Sequence, residues 1–139
     1  MKFNEQKGNL FELDKKYTLV HCISEDCAMY AGIAVEFQKR FDLRDKLLRV
    51  IDKCDLHYPF SIFFMGKQNV ISMVTKKKYC HKPTYESFEK ALDKVVQICK
   101  ENDIKYLGMY KLGCTRNGLQ WAIVREMIKD KFKYMDIEI

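Results

Sequence analysis

The sequence predicts an α/β protein, a three-layer α/β/α domain around a central mixed sheet, and three observations predict it. Short apolar, β-branched runs alternate along the chain with amphipathic segments of helical period. Several of these runs are apolar on both faces, as strands are when helices cover both sides of a sheet. Two of them, SIFFM and VISMVT, are separated by little more than the turn residues Gly66-Lys67-Gln68-Asn69. Such a short connection makes an antiparallel hairpin, so the sheet is mixed rather than parallel.

Taken in order, residues 2–6 read as a first strand, and Gly8-Asn9-Leu10-Phe11 as a turn with two apolar anchors behind it. Tyr17 to Ile23 is a buried strand. Ile33, Ala34, Phe37 and Phe41 recur at helical spacing, and Leu43, Leu47, Leu48 and Ile51 continue a second helix beyond Asp42. After the hairpin, Thr84 is the N-cap of a helix with Glu86 in its first turn and Phe88, Ala91, Leu92, Val95 and Cys99 as its buried stripe. Ile104 to Tyr110 is another strand. The glycine-bounded loop from Gly113 to Gly118 then leads to a helix carrying Leu119, Ala122, Ile123, Met127 and Ile128, and Asp136 to Ile139 alternates like a short strand.

A chain of 139 residues, 47% hydrophobic and 13% aromatic, has the material for one core, and two prolines and six glycines leave no linker to divide it. Residues 1–139 are therefore expected to form one domain. The longest apolar runs, Phe60 to Met65 and Val70 to Val74, fall far short of a bilayer span, and the first five residues lack the apolar centre of a signal peptide. A soluble, cytoplasmic protein with no membrane partner is the expectation, with a monomer as the default. Six cysteines without a CxxC pair read as reduced thiols. His21, Cys22, Cys27, Cys80 and His81 are the one conceivable metal grouping, but adjacent residues in extended backbone point to opposite faces, so no metal is expected.

A formal net charge of +6, from 25 basic against 19 acidic residues, favours anionic partners. The local cluster Lys76-Lys77-Lys78-Tyr79-Cys80-His81-Lys82 concentrates it; a solvated basic loop is the alternative reading. A nucleic-acid protein would gather its charge in a stripe interleaved with aromatics, and that pattern is not evident.

The stretch HCISEDCAMYAGIA, from His21 to Ala34, is strand, loop and helix in succession. Small residues at the helix start let a ligand approach the backbone, and the free N–H groups with the helix dipole suit a phosphate. A helix start that merely packs on the sheet is the plainer reading. The loops 24–32 and 113–118 both join strand to helix, and in open α/β sheets such loops border the crevice where ligands bind.

HCISEDCAMYAGIAVEFQKRF, TKKKYCHKPTYESFEKAL and LGCTRNGLQW, with GNLF before them, strongly resemble the macrodomain family. The branch resembled is that of the terminal ADP-ribose protein glycohydrolase, which also includes DNA ADP-ribosyl glycohydrolase antitoxins. The likeness runs from Gly8 to the last strand.

The resemblance implies an ADP-ribose site. Asn9 and Leu10 match the motif that holds the adenine, with Asn9 standing where the family has an acidic residue; its amide oxygen can still accept a hydrogen bond, and an ordinary turn role is the other reading. His21, Ser24, Gly32, Ile33 and Ala34 match the loop that wraps the distal ribose and offers amides to the diphosphate. Gly113, Cys114, Thr115, Arg116 and Gly118 match the loop that closes over it, with Thr115 in place of a glycine, which restricts φ there. Thr75 precedes the catalytic lysine position, which Lys76 occupies. In this branch the lysine is thought to form an adduct with the distal ribose and an acidic residue to assist its hydrolysis. At a buried strand end among other lysines, desolvation and like charge favour a nucleophilic amine, against the alternative of a solvated loop lysine.

The acidic position is Asn117. An amide takes no proton as a general base and supplies no negative charge. Three readings follow: hydrolysis through Lys76 with Asp26, Glu25 or water; an ADP-ribose reader without turnover; or deamidation at Asn117-Gly118 that restores an aspartate. The partners implied are ADP-ribose itself and mono-ADP-ribose on protein carboxyls, on nucleic-acid ends or in small esters and phosphates. No cofactor is implied, since backbone amides suffice for a diphosphate.

Overall fold

The computed structural model of the chain describes residues 1–27, 33–54, 56, 58–78, 81–112 and 118–139. Its strands are β1 (Thr18–Ser24), β2 (Phe60–Phe64), β3 (Val70–Lys76) and β4 (Leu107–Met109). They form one mixed sheet in the order β2-β3-β1-β4. The central strand β1 runs parallel to both β3 and β4, while β2 returns antiparallel along β3 as the predicted hairpin.

Among the described residues, four α-helices flank the sheet: α1 (Ile33–Phe41), α2 (Leu43–Cys54), α3 (Tyr85–Glu101) and α4 (Trp121–Phe132). Side chains of a strand alternate between faces, and the two cores follow that alternation. Leu19, Ile23, Val70 and Val74 pack against Phe37 of α1 and against Leu43 and Leu47 of α2. Val20, Ile71 and Met73 pack on the opposite face against Phe88 and Leu92 of α3 and Val124, Ile128 and Phe132 of α4. The helices therefore lie in pairs, one pair on each face, and the three-layer α/β/α architecture is the one expected. Among the described residues no helix is long and apolar enough to cross a membrane.

Both chain ends extend the sheet past β4. Leu107 N–H donates to Glu138 C=O and Glu138 N–H to Lys105 C=O, each at 2.8 Å, and Lys2 N–H donates in turn to Ile137 C=O at 2.8 Å. The segments predicted as first and last strands are thus present, but as isolated bridges rather than full ladders.

Three expectations about burial need correction. β2 is half-buried on alternate residues, because an edge strand is covered less completely than β3, whose first six residues are all buried. Leu48 is 36% exposed, since Leu43 and Leu47 already set the buried stripe of α2. In α4 the buried stripe is Val124, Ile128 and Phe132, whereas Ala122 and Ile123 face outwards. Apolar residues all round that helix left its phase open to sequence reading, and tertiary contact with α3 selected it.

Asp42 breaks α1 from α2 at φ 50°, a left-handed conformation that aspartate tolerates better than most residues. At the other face, Thr84 caps α3 in a reciprocal box: its hydroxyl accepts from Ser87 N–H at 3.0 Å, and its own N–H donates to Ser87 Oγ at 3.1 Å. Replacing Thr84 by Ala should cost about 1 kcal/mol in urea denaturation, and Thr84→Ser should restore most of it. Equal unfolding midpoints for all three proteins would show that the box contributes nothing.

Candidate functional site

The site begins where β1 and β3 reach their carboxyl ends. Ile23 pairs with Val74 but Ser24 pairs with Lys76, so β3 carries one extra residue, Thr75, opposite that step. A bulge of this kind bends the strand and re-aims the next side chain. Thr75 is buried, and Lys76 emerges partly exposed at the rim.

The turn after β1 is tied to that same rim. Glu25 N–H donates to Lys76 C=O at 2.8 Å, Asp26 N–H to Lys77 C=O at 3.2 Å, and Cys27 N–H closes the turn on Ser24 C=O at 2.9 Å. The Glu25 carboxylate accepts from Tyr58 N–H at 2.8 Å, which fastens the turn to the approach of β2. The Ser24 hydroxyl donates to the carboxylate of Asp26, which is itself exposed. Arg44 Nε, from α2, donates to Cys27 C=O at 3.2 Å and holds the far end of the turn, where Cys27 adopts φ 55°. The two acidic residues are therefore distinguished: Glu25, half-buried, is a strut between backbones, and Asp26 is exposed with its carboxylate on the Ser24 hydroxyl.

A second set of contacts assembles the turn at residues 9–13. Asn9 caps a single 3-10 turn, its Oδ1 accepting from Phe11 N–H at 2.9 Å, so the turn role is realised while a second lone pair remains on that oxygen. This turn lies against β4 at Gly108, where a Cβ would come within 2.5 Å of Leu13 Cδ1. Phe11 meets Phe37 edge-on at 4.9 Å, and Arg40 lies 4.7 Å over the Phe11 ring. Phe37 in turn stacks on His21 at 4.1 Å. The column joins the 9–13 turn to α1 and to β1.

His21 is accordingly not a surface residue. It is fully buried, bonded through Nε2 to Ser72 Oγ at 2.6 Å, and its Nδ1 has no partner among the described residues. Its expected contact with a ligand is corrected to a supporting position beneath the site, because no part of the ring reaches solvent. Burial pulls its pKa down to about 3, so it stays neutral in the folded protein.

Ile33 and Ala34 open α1, with their N–H groups among those a helix leaves unpaired at its first turn. β4 parts from β1 after Met109, and Tyr110 Oη there accepts from Cys22 N–H at 3.2 Å. Gly118 is described, and beyond it Gln120 N–H donates to Tyr85 Oη at 3.0 Å. Gly32, Gly113, Cys114, Thr115, Arg116 and Asn117 lie outside the described residues. Asn9 and Leu10 lie in the first turn, Ser24 ends β1, Thr75 and Lys76 end β3, and Ile33 and Ala34 open α1. Two buried thiols stay protonated at neutral pH: burial raises Cys27 to about 11 and Cys99 to about 12.

On the β2 side of Lys76 an open cavity of about 620 Å³ runs to the start of α3, with Tyr58, Lys76, Lys77, Lys82, Glu86 and Lys90 in its walls. Sequence reading missed the contributions of Tyr58, Tyr110, Arg44 and Phe37. Each acts through contacts far apart in the chain, and only Gly108, a glycine inside a strand, carried a local signal of close approach.

No family model matches the chain. It is 39% identical to the ADP-ribose glycohydrolase OARD1 of Homo sapiens over 133 residues, 96% of this chain and 86% of that protein. The protein of the same name from Bos taurus is 38% identical over the same shares. Among solved structures, the macrodomain of Mycobacterium tuberculosis DarG superposes with a TM-score of 0.88 at 19% identity, covering 98% of this chain and 93% of that one. The Thermus aquaticus DarG macrodomain gives 0.85 at 21% identity, covering 99% and 93%. These two likenesses speak to the fold.

The neutral, buried His21 has a consequence for acid stability. Its folded value lies below the ordinary 6.5, so the unfolded chain takes up the proton first as pH falls. Its contribution to stability is whole above pH about 6.5 and is lost progressively down to about pH 3, by about 1.4 kcal/mol per pH unit. Between pH 6.5 and 5 the wild type should therefore lose about 2 kcal/mol more than His21→Gln in urea denaturation. Parallel profiles for the two proteins would contradict it.

Proposed function

The chain belongs to the macrodomain family, in the branch of the terminal ADP-ribose glycohydrolases, and on that premise we propose that it binds ADP-ribose and hydrolyses ester-linked mono-ADP-ribose. The relatives named ADP-ribose glycohydrolase support the activity, and a Thermosipho africanus DarTG structure of the same fold, at a TM-score of 0.80, holds ADP-ribose. The observation that carries the reading is the bulge at Thr75, which brings Lys76 to the rim beside the Ser24–Cys27 turn.

In this reading the adenine sits at Asn9 and Leu10, the diphosphate at the first turn of α1, and the distal ribose between Ser24 and Lys76. The Lys76 nitrogen bonds to the anomeric carbon as the C–O bond to the modified carboxyl breaks. The carboxylate leaves with the electron pair, and the nitrogen sheds a proton to water. Water then cleaves the C–N bond, returning the amine and free ADP-ribose. Asp26 replaces the missing acid at position 117: it takes the proton from that water and passes it to the departing nitrogen. Asp26 is assigned this role over Glu25 because it is exposed, whereas Glu25 is half-buried and tied to Tyr58 N–H.

One observation favours a second reading, a reader without turnover: the amide of Asn117 stands where relatives carry an acid. Calorimetry with ADP-ribose, paired with its release from a glutamate-modified protein, separates the two. Wild type should bind and turn over; Lys76→Ala should bind and release nothing. Asp26→Asn should lower kcat by about 10²-fold or more, the scale of a lost general base, while Glu25→Gln changes it far less. Asn117→Asp should raise the rate. Turnover by Asn117→Asp alone would make the natural protein a reader, and absence of ADP-ribose binding would remove both readings.

A further inference from the structure

Lys76 divides two surfaces. On its β1 side lie the loops proposed to hold the nucleotide; on its β2 side lies the cavity of about 620 Å³. We infer that this cavity is the acceptor subsite, which holds the peptide carrying the modified carboxyl and selects peptides in which that residue has acidic neighbours. The inference rests on the proposed hydrolysis at Lys76 for its place in the reaction.

Position supports it first. Lys76, whose amine meets the ribose, also stands in the cavity wall, so the chain that flanks the modified residue reaches the cavity past it. Size agrees, for the volume is that of a ligand pocket and exceeds what one carboxylate side chain needs. Charge decides the chemistry. Among the described residues Lys76, Lys77, Lys82 and Lys90 line the cavity against one carboxylate, that of Glu86, which Lys90 pairs at 3.1 Å. The first turn of α3 also faces it through Thr84 and Ser87, adding the positive end of that helix. Carboxylates that flank the modified residue are therefore met by the lysine ammonium groups.

The lining suits a peptide better than a nucleic-acid strand. Proteins that hold single strands stack successive bases on aromatic faces. Among the described lining residues the phenol ring is that of Tyr58, and the Lys77 ammonium already lies 5.9 Å over it. Separate ammonium groups on flexible stems fit carboxylates spaced along a peptide.

The test compares two peptides carrying mono-ADP-ribose on glutamate, one flanked by Asp and Glu and one by Ser and Ala. Each exposed ion pair is worth up to about 1 kcal/mol, so wild type should favour the acidic peptide in kcat/KM by about tenfold at low salt. The preference should vanish in about 1 M NaCl, where the screening length is about 3 Å. The triple variant Lys77→Ala/Lys82→Ala/Lys90→Ala should lose the preference while its calorimetric affinity for free ADP-ribose is unchanged. Equal rates on both peptides, or a preference that survives in the triple variant, would overturn the inference while leaving the hydrolase intact. Fluorescence anisotropy of the unmodified acidic peptide serves if turnover is absent. Binding by wild type and not by the triple variant, with no ADP-ribose binding, would keep the acidic-peptide site and remove the hydrolase. Displacement of that peptide more strongly by a single-stranded oligonucleotide of equal charge would overturn the peptide assignment.

Discussion

A strand that is hydrogen-bonded along both edges and covered on both faces cannot slip in register, because one residue of slip would send every side chain to the wrong layer. β1 is such a strand: β3 holds one edge, β4 the other, and six of its seven residues are buried. Everything at the carboxyl end of the sheet is measured from it. The turn at Ser24–Cys27 leaves β1 at a fixed point, and the bulge in β3 at that same level sets where Lys76 appears. A lysine and an aspartate from segments some fifty residues apart are brought to adjacent backbone positions by this one pairing.

The layer above β1 is tuned to the site in a different way. His21 and Ser72 are polar residues in an apolar layer, paired across the strands at matching register. Their bond places a flat ring under Phe37, and the stack passes through Phe11 to the turn at Asn9. The 9–13 turn, α1 and β1, far apart in sequence, thereby share one aromatic column. Deep burial keeps the ring neutral, so the column holds no charge that would need a counterion. Gly108 completes the arrangement by letting the 9–13 turn lie directly on β4.

Charge is distributed with the same economy. The excess of basic residues is modest for the whole chain, yet four lysines face one cavity beside the proposed reaction centre. The acidic residues nearby are mostly engaged: Glu86 by Lys90, Glu25 by a backbone amide. Asp26, exposed at the same turn, accepts from the Ser24 hydroxyl.

Local chemistry makes much of this legible in the sequence alone. Thr84 as a cap, the stripe from Phe88 to Cys99, the hairpin at Gly66 to Asn69 and the α/β order all follow from periodicity and turn residues, whose effects act within a few positions of the chain. The motifs around His21, Lys76 and Asn117 identified the family for the same reason, being contiguous. Tertiary structure decided which of two neighbouring carboxylates is engaged by Tyr58, that His21 lies beneath the site, which face of α4 is buried, and that the lysines after β3 wall a cavity with α3. Those depend on contacts between residues tens of positions apart, and such contacts exist only once the strands have chosen their neighbours.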